Sequence, residues 1–388
     1  MKQTYFLSQP HQPFFLLAFI NALLSMLIFL LAYNGIVTIK LLPASFHAYT
    51  LIYLLFTPAF LAFIFTTFPR FSSTPPIPKE RYLFVFVLFA TASLFIMAGV
   101  FFSPLLYGLG IALLIAGHTG AVKILWEIFH LSQISDKHDI FWILAAMLVG
   151  LLSHLMLALA ILFFPVLLTT AVEIAVYLYL FPVGFTIAQR MVPFFSHCMI
   201  ERNEGFVRKV ALLLLLHVIL EVVHPYLSFP ADLLLAWLIG KEIYRWKLPF
   251  PHPDPLLWIL HIALLWIPVS FLFGALSSMA ALFGREHFLF MNIHILILGF
   301  LLTILIGFGT RVTIGHSGNS MQPDRWVTLL FNWTQVVVLM RLLTSIAAAY
   351  DLDYSILFDL SAIAWLLLFT VWGIRFFPVL IYGKQLDR

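Results

Sequence analysis

The chain has 388 residues, 63% of them hydrophobic and only 10% charged, with a formal net charge of +4. A mean hydropathy of +1.04 excludes a soluble globular protein. The single cysteine, Cys198, excludes an intrachain disulfide and any zinc or iron–sulfur site built from several thiolates.

Twelve apolar runs follow one another along the chain, at 13–33, 48–68, 82–102, 104–123, 139–163, 166–190, 208–226, 230–246, 256–283, 288–311, 326–350 and 355–380. The first follows Lys2, is long enough to cross a hydrocarbon core of ~30 Å, and precedes no A-x-A-type cleavage site. It therefore reads as a retained helix. The eighth is the least apolar, with Asp232, Lys241, Glu242 and Arg245 in or beside it. Pro58, Pro165 and Pro268 are expected to kink or end their helices. Gly108-Leu-Gly110 and Gly307-Phe-Gly309 lie inside apolar runs and read as packing glycines rather than nucleotide loops. No soluble domain fits between the runs, and no internal repeat is visible.

The basic residues test this reading. Twelve crossings from an inside N-terminus put Lys2, Arg70, Lys79, Arg81, Lys123, Lys137, Arg190, Arg202, Arg208, Lys209, Lys241, Arg245, Lys247, Arg311, Arg325, Arg375, Lys384 and Arg388 on the cytoplasmic side, 18 of the 21 Lys and Arg residues. The outer segments keep Lys40 and Arg285, and Arg341 falls within a helix. That asymmetry is the positive-inside pattern, and it collapses if the eighth run does not cross. The expected architecture is an all-α, polytopic membrane helix bundle of about 12 transmembrane helices. It forms one integral, multi-pass domain over 1–388, with both termini cytoplasmic.

Fourteen histidines in such a chain point to chemistry in the lipid. A polar group there must find a partner, intramembrane ionisable groups usually mark function, and imidazole is the commonest metal ligand. Topology converts position into depth. His47, His154, His217, His224 and His294 share the outer half, whereas His118, His261 and His316 lie toward the inner face with Arg190 and Arg311. The seventh run reads His217-x-x-x-Glu221-x-x-His224, offsets that put three donors on one helical face. That suits a metal site, a proton relay, or a polar stripe satisfied by hydrogen bonds. Cys198 beside His197 is a weak copper candidate, and His252 a solvated loop residue.

These residues carry a resemblance. Pro10-x-x-Pro13-Phe14-Phe15-Leu16 resembles the P-F-R-P-F-F-L opening of the NnrS family, and the stretch from Phe46-His47-Ala48 to Phe68-Pro69 its W-H-A-H-E-M…T-x-x-P-N-W block. Arg190-Met191-Val192-Pro193-Phe194-Phe195 is similar to R-x-x-P-x-F, and Leu260-His261…Trp266-Ile267-Pro268 to L-H-x-x-x-x-W-x-P. The most specific block, His294…Gly299…Thr303…Thr310-Arg311-Val312-Thr313-Ile314-Gly315-His316-Ser317-Gly318, is similar to H-A-L-T-x-G…T-R-x-x-x-G-H-T-G. The chain departs from the family where H-A-H-E-M becomes His47-Ala48-Tyr49-Thr50-Leu51. If the lost His and Glu hold metal in the family, one such site is altered here.

The resemblance implies a haem- and copper-containing polytopic membrane protein linked to nitric oxide metabolism and denitrification. On that basis His47 and His294 are the expected axial ligands, with His154 next. Arg190 and Arg311 would meet haem propionates, which favours instead a haem near His261 and His118 on the inner side. His217, Glu221, His224 and His316 are the candidates for a second metal such as copper. Two other classes stay open. One is a secondary transporter coupling protons or cations through buried Glu173, Glu221, Asp359 and histidines. The other is a membrane metal enzyme, for which no catalytic constellation stands out.

Overall fold

The computed structural model describes residues 5–198, 200–284 and 287–386, so Lys2, Arg285 and Arg388 lie outside the described residues. Among the described residues there are twelve long helices and no strand. They are α1 (His11–Tyr33), α2 (Pro43–Phe71), α3 (Lys79–Phe102), α4 (Pro104–Leu131), α5 (His138–Leu162) and α6 (Pro165–Phe195). There follow α7 (Phe206–Val223), α8 (Phe229–Arg245), α9 (Pro255–Phe283), α10 (Met291–His316), α11 (Arg325–Ala349) and α12 (Ser355–Tyr382). Each matches one apolar run. The chain is therefore a multi-helix membrane protein, with ten helices long and apolar enough to cross a bilayer.

The exceptions are α7, with three charged residues among its 18, and α8, which has 17 residues and four charges. In α8, Asp232 is bound by His217, and Glu242 accepts hydrogen bonds from Asn203 Nδ2, Arg245 and Trp246 Nε1. Asp232 and Glu242, the two acidic residues that weaken the eighth run in the sequence, are thus partnered inside the fold, whereas Lys241 is exposed over the Trp237 ring.

Three helices contain a π-helical stretch: Leu51–Phe56 in α2, Ile174–Leu180 in α6 and Leu296–Leu302 in α10. One falls in every fourth helix, a period that residue identities do not show. A π turn and a proline both release carbonyls from the helical ladder, and in lipid these need new donors. Pro58 has no N–H to offer the Leu54 carbonyl one turn back, and Asn21 Nδ2 donates to that oxygen at 2.9 Å. The same amide nitrogen donates to Ser93 Oγ at 2.9 Å, tying α1 to α2 and α3. Thr57 Oγ1 and Thr303 Oγ1 close the stretches in α2 and α10 by donating to carbonyls five residues back, at 2.9 and 3.0 Å.

The helices form two compact units. The first comprises residues 1–175, 312–321 and 369–388. Its core sets Phe19 edge-on to Phe369 and Trp372, with centroids 5.0 and 4.2 Å away. Here α3 and α4 turn back on each other around Ser103 so closely that a Cβ on Gly99 would meet the Tyr107 backbone, and one on Gly110 would lie 2.7 Å from Ile96. The second unit comprises residues 176–311 and 322–368. There Gly299, inside the π-helical stretch of α10, lets the Trp266 side chain pack against the helix where a Cβ would lie 2.7 Å from its ring. Trp266 Nε1 in turn donates to Gln335 Oε1 at 2.7 Å. Gly110 and Gly307 are packing glycines as expected, Gly307 seating Leu260.

Candidate functional site

In the first unit, α2, α4 and α5 bring together a buried cluster of aromatic rings. Tyr49 and Tyr53 stand one turn apart on α2 and face Ser153 and His154 of α5. The Tyr49 hydroxyl lies 2.8 Å from His154 Nε2. The Tyr53 hydroxyl meets Ser153 Oγ at 2.9 Å. The Tyr53 ring stacks on the imidazole of His154 with centroids 3.8 Å apart and planes 9° from parallel. On the other side, His154 Nδ1 lies 3.3 Å from Nδ1 of His118 in α4. Both imidazoles are fully buried. Sequence depth places His118 and His154 in different halves of the membrane, but the structure joins them. The reason is length: α4 continues to Leu131, eight residues past the apolar run, which puts His118 at the middle of its helix rather than toward one end.

In the second unit, His217 of α7 is the centre. Its Nδ1 lies 2.7 Å from Asp232 Oδ1 in α8, with both side chains essentially out of solvent. The Tyr177 ring, inside the π-helical stretch of α6, covers the imidazole at 3.9 Å between centroids. Asp232 also leans on Gly274 of α9, where a Cβ would come within 3.3 Å of Oδ2. A carboxylate on Nδ1 holds the proton there and fixes the tautomer, so Nε2 carries the lone pair.

The spacing His217-x-x-x-Glu221-x-x-His224 does not yield one centre. Helix α7 ends at Val223, and His224 is extended (φ −157°, ψ 127°), which takes it off the helical face. Its Nδ1 meets the Pro225 carbonyl at 2.7 Å. Glu221 accepts from Tyr226 N and Ser228 Oγ at 2.9 and 2.6 Å, serving the α7–α8 turn. Among the described residues, no group of three or more His, Cys, Asp or Glu side chains is placed to hold an ion.

The remaining candidates are dispersed. His47 is half-buried, with its ring 4.2 Å from that of Phe29. His294 Nδ1 lies 2.8 Å from the Phe290 carbonyl and 3.2 Å from the Arg341 guanidinium, which also donates to the Leu289 carbonyl and Ser345. His261 is buried against Ser196, Nε2 to Oγ at 2.7 Å, and its Nδ1 has no hydrogen-bond partner among the described residues. Arg311 lies over the Phe195 ring at 4.1 Å, and Arg190 is exposed at the end of α6. His316 Nδ1 meets the Val312 carbonyl at 3.1 Å, and its ring lies 4.7 Å from that of His11.

Sequence reasoning missed Asp232 as the partner of His217, reading it only as a charge weakening the eighth run. It also missed Tyr49 and Tyr53, whose one-turn spacing was the available signal, and the pairing of His294 with Arg341.

Buried, carboxylate- and tyrosine-supported histidines in a helical membrane protein define a class of intramembrane imidazole centres. The family model described as NnrS protein matches residues 5–383, nearly the whole chain. The chain belongs to the NnrS family. No curated protein matches it.

Proposed function

We propose that this protein binds haem within the membrane and acts in the bacterial response to nitric oxide. In this reading all twelve helices cross the inner membrane, α7 and α8 included, and both termini are cytoplasmic. The distribution of Lys and Arg supports that topology.

The observation that carries the haem reading is the contact between His217 and Asp232 at 2.7 Å. Histidines that bind metal commonly donate their other ring N–H to a carboxylate, which orients the ring and raises its basicity. The donor chemistry of His217 fits an imidazole that would hold the haem iron through Nε2. Haem, when bound, supplies a redox-active iron able to take a diatomic ligand. The protein's own contribution is to hold the proton on Nδ1, to keep the ring in place under Tyr177, and to exclude water. His294 is the candidate for a second ligand in the same unit, because Gly274 lies beside both Asp232 and Asn292; His261 stands thirteen residues from Gly274, about 20 Å of helix, so it is tested separately with Arg311 and Arg190. His47 and His154, in the first unit, are tested separately.

The test is the absorption spectrum of the detergent-purified protein, oxidised and dithionite-reduced, with metal analysis on the same sample. A Soret band with α and β bands on reduction is expected. His217→Ala should lose the haem, and Asp232→Asn should keep it with a shifted midpoint potential. A colourless protein from haem-sufficient cells refutes the reading and favours the secondary transporter. Full haem loading in His217→Ala refutes the ligand assignment.

A further inference from the structure

We propose that Tyr49 is a redox-active tyrosine, which gives up one electron while its phenolic proton passes to His154 and, through that ring, to His118. The cluster lies in the first unit, and the tyrosine–histidine pair does not rest on the haem reading. Tyr49, Tyr53, Ser153, His118 and His154 are all 0% exposed. Electrons and protons can reach such a place without a cavity.

The contacts fix where each proton sits. Among the described residues, the Tyr49 hydroxyl has one hydrogen-bond partner, His154 Nε2 at 2.8 Å. A buried O–H with a single acceptor in reach donates to it, because the alternative leaves a polar hydrogen unsatisfied. His154 Nε2 is therefore the acceptor, and the ring proton sits on Nδ1. That nitrogen lies 3.3 Å from Nδ1 of His118, which takes the accepting role. The result is a directed chain, from Tyr49 O–H to His154 and from His154 N–H to His118.

The neighbouring tyrosines are placed differently. Tyr53 donates to Ser153 Oγ at 2.9 Å, since that serine gives its own proton to the Gly150 carbonyl at 2.9 Å. The Tyr107 hydroxyl has no hydrogen-bond partner among the described residues. A phenol that gives up an electron becomes a strong acid, and an uncompensated cation in a dry place is costly. Tyr49, with an imidazole on its hydroxyl, releases electron and proton together. Tyr53 stacks on His154 at 3.8 Å, where its ring face favours the positive charge in passage.

The oxidant of a fully buried phenol has to be small, uncharged and soluble in lipid, and nitrogen dioxide meets that description. It takes one electron from Tyr49 and leaves as nitrite. The Tyr49 O–H bond breaks and an N–H bond forms at His154 Nε2. The Nδ1 proton of His154 passes to His118, which ends as imidazolium, and a tyrosyl radical remains. A buried imidazolium is costly, so the protons run back once an ascorbate-type reductant returns the electron. Nitrogen dioxide forms where nitric oxide meets oxygen, so the choice of oxidant, and that alone, rests on the nitric oxide reading.

The test oxidises the full-length protein in detergent with nitrogen dioxide, made by pulse radiolysis of nitrate, and separately with a flash-excited lipophilic sensitiser. Radical formation is followed by transient absorption and electron paramagnetic resonance, with haem content read on the same samples. A tyrosyl radical is expected with both oxidants. With the histidine rings isotopically labelled at nitrogen, pulsed resonance should show an imidazole nitrogen coupled to it. The chain has 13 tyrosines, so Tyr49→Phe identifies the carrier and should remove the coupled signal, whereas Tyr53→Phe should keep it. His154→Gln leaves Tyr49 without a base and should slow its oxidation by about a hundredfold, the usual worth of a positioned general base. The nitrogen coupling is read in the wild type and serves if the variants fail to fold. The proposal is overturned if neither oxidant yields a tyrosyl radical, if Tyr49→Phe forms the same radical in the same yield, or if the radical shows no histidine nitrogen. Loss of haem in well-folded His154→Gln also overturns it, by placing the pair in the haem site. A radical formed with the sensitiser but not with nitrogen dioxide leaves the redox tyrosine standing and defeats only the choice of oxidant. The coupled radical in a protein without haem leaves it standing and defeats only the haem reading.

Discussion

Asn21 should be among the most costly polar residues to remove, and Pro58 is the reason. Asn21 is 2% exposed and donates to the Leu54 carbonyl and to Ser93 Oγ, both at 2.9 Å. Ser93 has its own donation to the Phe89 carbonyl at 2.8 Å, so losing Asn21 leaves it partly satisfied. The Leu54 carbonyl loses a donor that the proline four residues later cannot replace. Leaving a buried acceptor short of its partner costs ~1–3 kcal/mol. At ~2 °C per kcal/mol for a chain of this size, Asn21→Ala should lower the unfolding midpoint in detergent by roughly 2–6 °C.

The decisive comparison is the double variant. Pro58→Ala restores an N–H beside the Leu54 carbonyl, so Asn21→Ala with Pro58→Ala should recover at least half of the loss. Thermal unfolding of the four proteins, read by tryptophan fluorescence, forms the cycle, and the coupling between the two sites is the quantity of interest. Simple additivity would refute the reasoning. So would a double variant less stable than Asn21→Ala alone.

Other outcomes follow from single contacts. Asp232→Ala strips His217 of its acceptor and should cost ~1–3 kcal/mol, whereas Asp232→Asn keeps an acceptor oxygen and should lose much less; the same unfolding assay separates them. Gly99→Ala puts a methyl group into the Tyr107 backbone where α3 meets α4, and should destabilise by ~1–3 kcal/mol as an overpacked contact; a midpoint unchanged from the wild type would contradict the close approach. Cys198, in the connection after α6, should react with a membrane-impermeant maleimide in inside-out vesicles and resist it in right-side-out ones, which checks the proposed topology. Burial pushes its thiol pKa up, so less thiolate is present at neutral pH. Labelling should therefore rise with pH through a midpoint above that of a free cysteine.

Much of the helical framework was legible because lipid imposes it. A backbone that must satisfy itself leaves apolar length and flanking charge as the governing signals. Twelve runs gave twelve helices, even where Asp232 and Glu242 made the eighth doubtful. The centres were less legible, because they depend on helix rotation and on where a helix stops. His217 and His224 share a face only while the helix continues, and α7 ends at Val223. His118 and His154 differ in sequence depth, yet their Nδ1 atoms meet at 3.3 Å. Nothing in one helix's spacing encodes which neighbour it faces.

The π-helical stretches recur at regular intervals although the residues in them differ. Those of α2, α6 and α10 begin at residues 51, 174 and 296, one in each successive set of four helices. Each contributes a residue to a different contact. Tyr53 stacks on His154, Tyr177 covers His217, and Gly299 receives the Trp266 ring. A π turn inserts one extra residue and re-aims the side chains after it, which is why such turns gather at functional sites. What recurs is therefore a backbone device rather than a side-chain motif. The same local widening presents a tyrosine to a histidine pair in one place, a tyrosine to a carboxylate-held histidine in the second, and a bare backbone to a tryptophan in the third. The two buried histidine centres of this chain thus each meet a tyrosine presented by a π-helical stretch, Tyr53 at His154 and Tyr177 at His217.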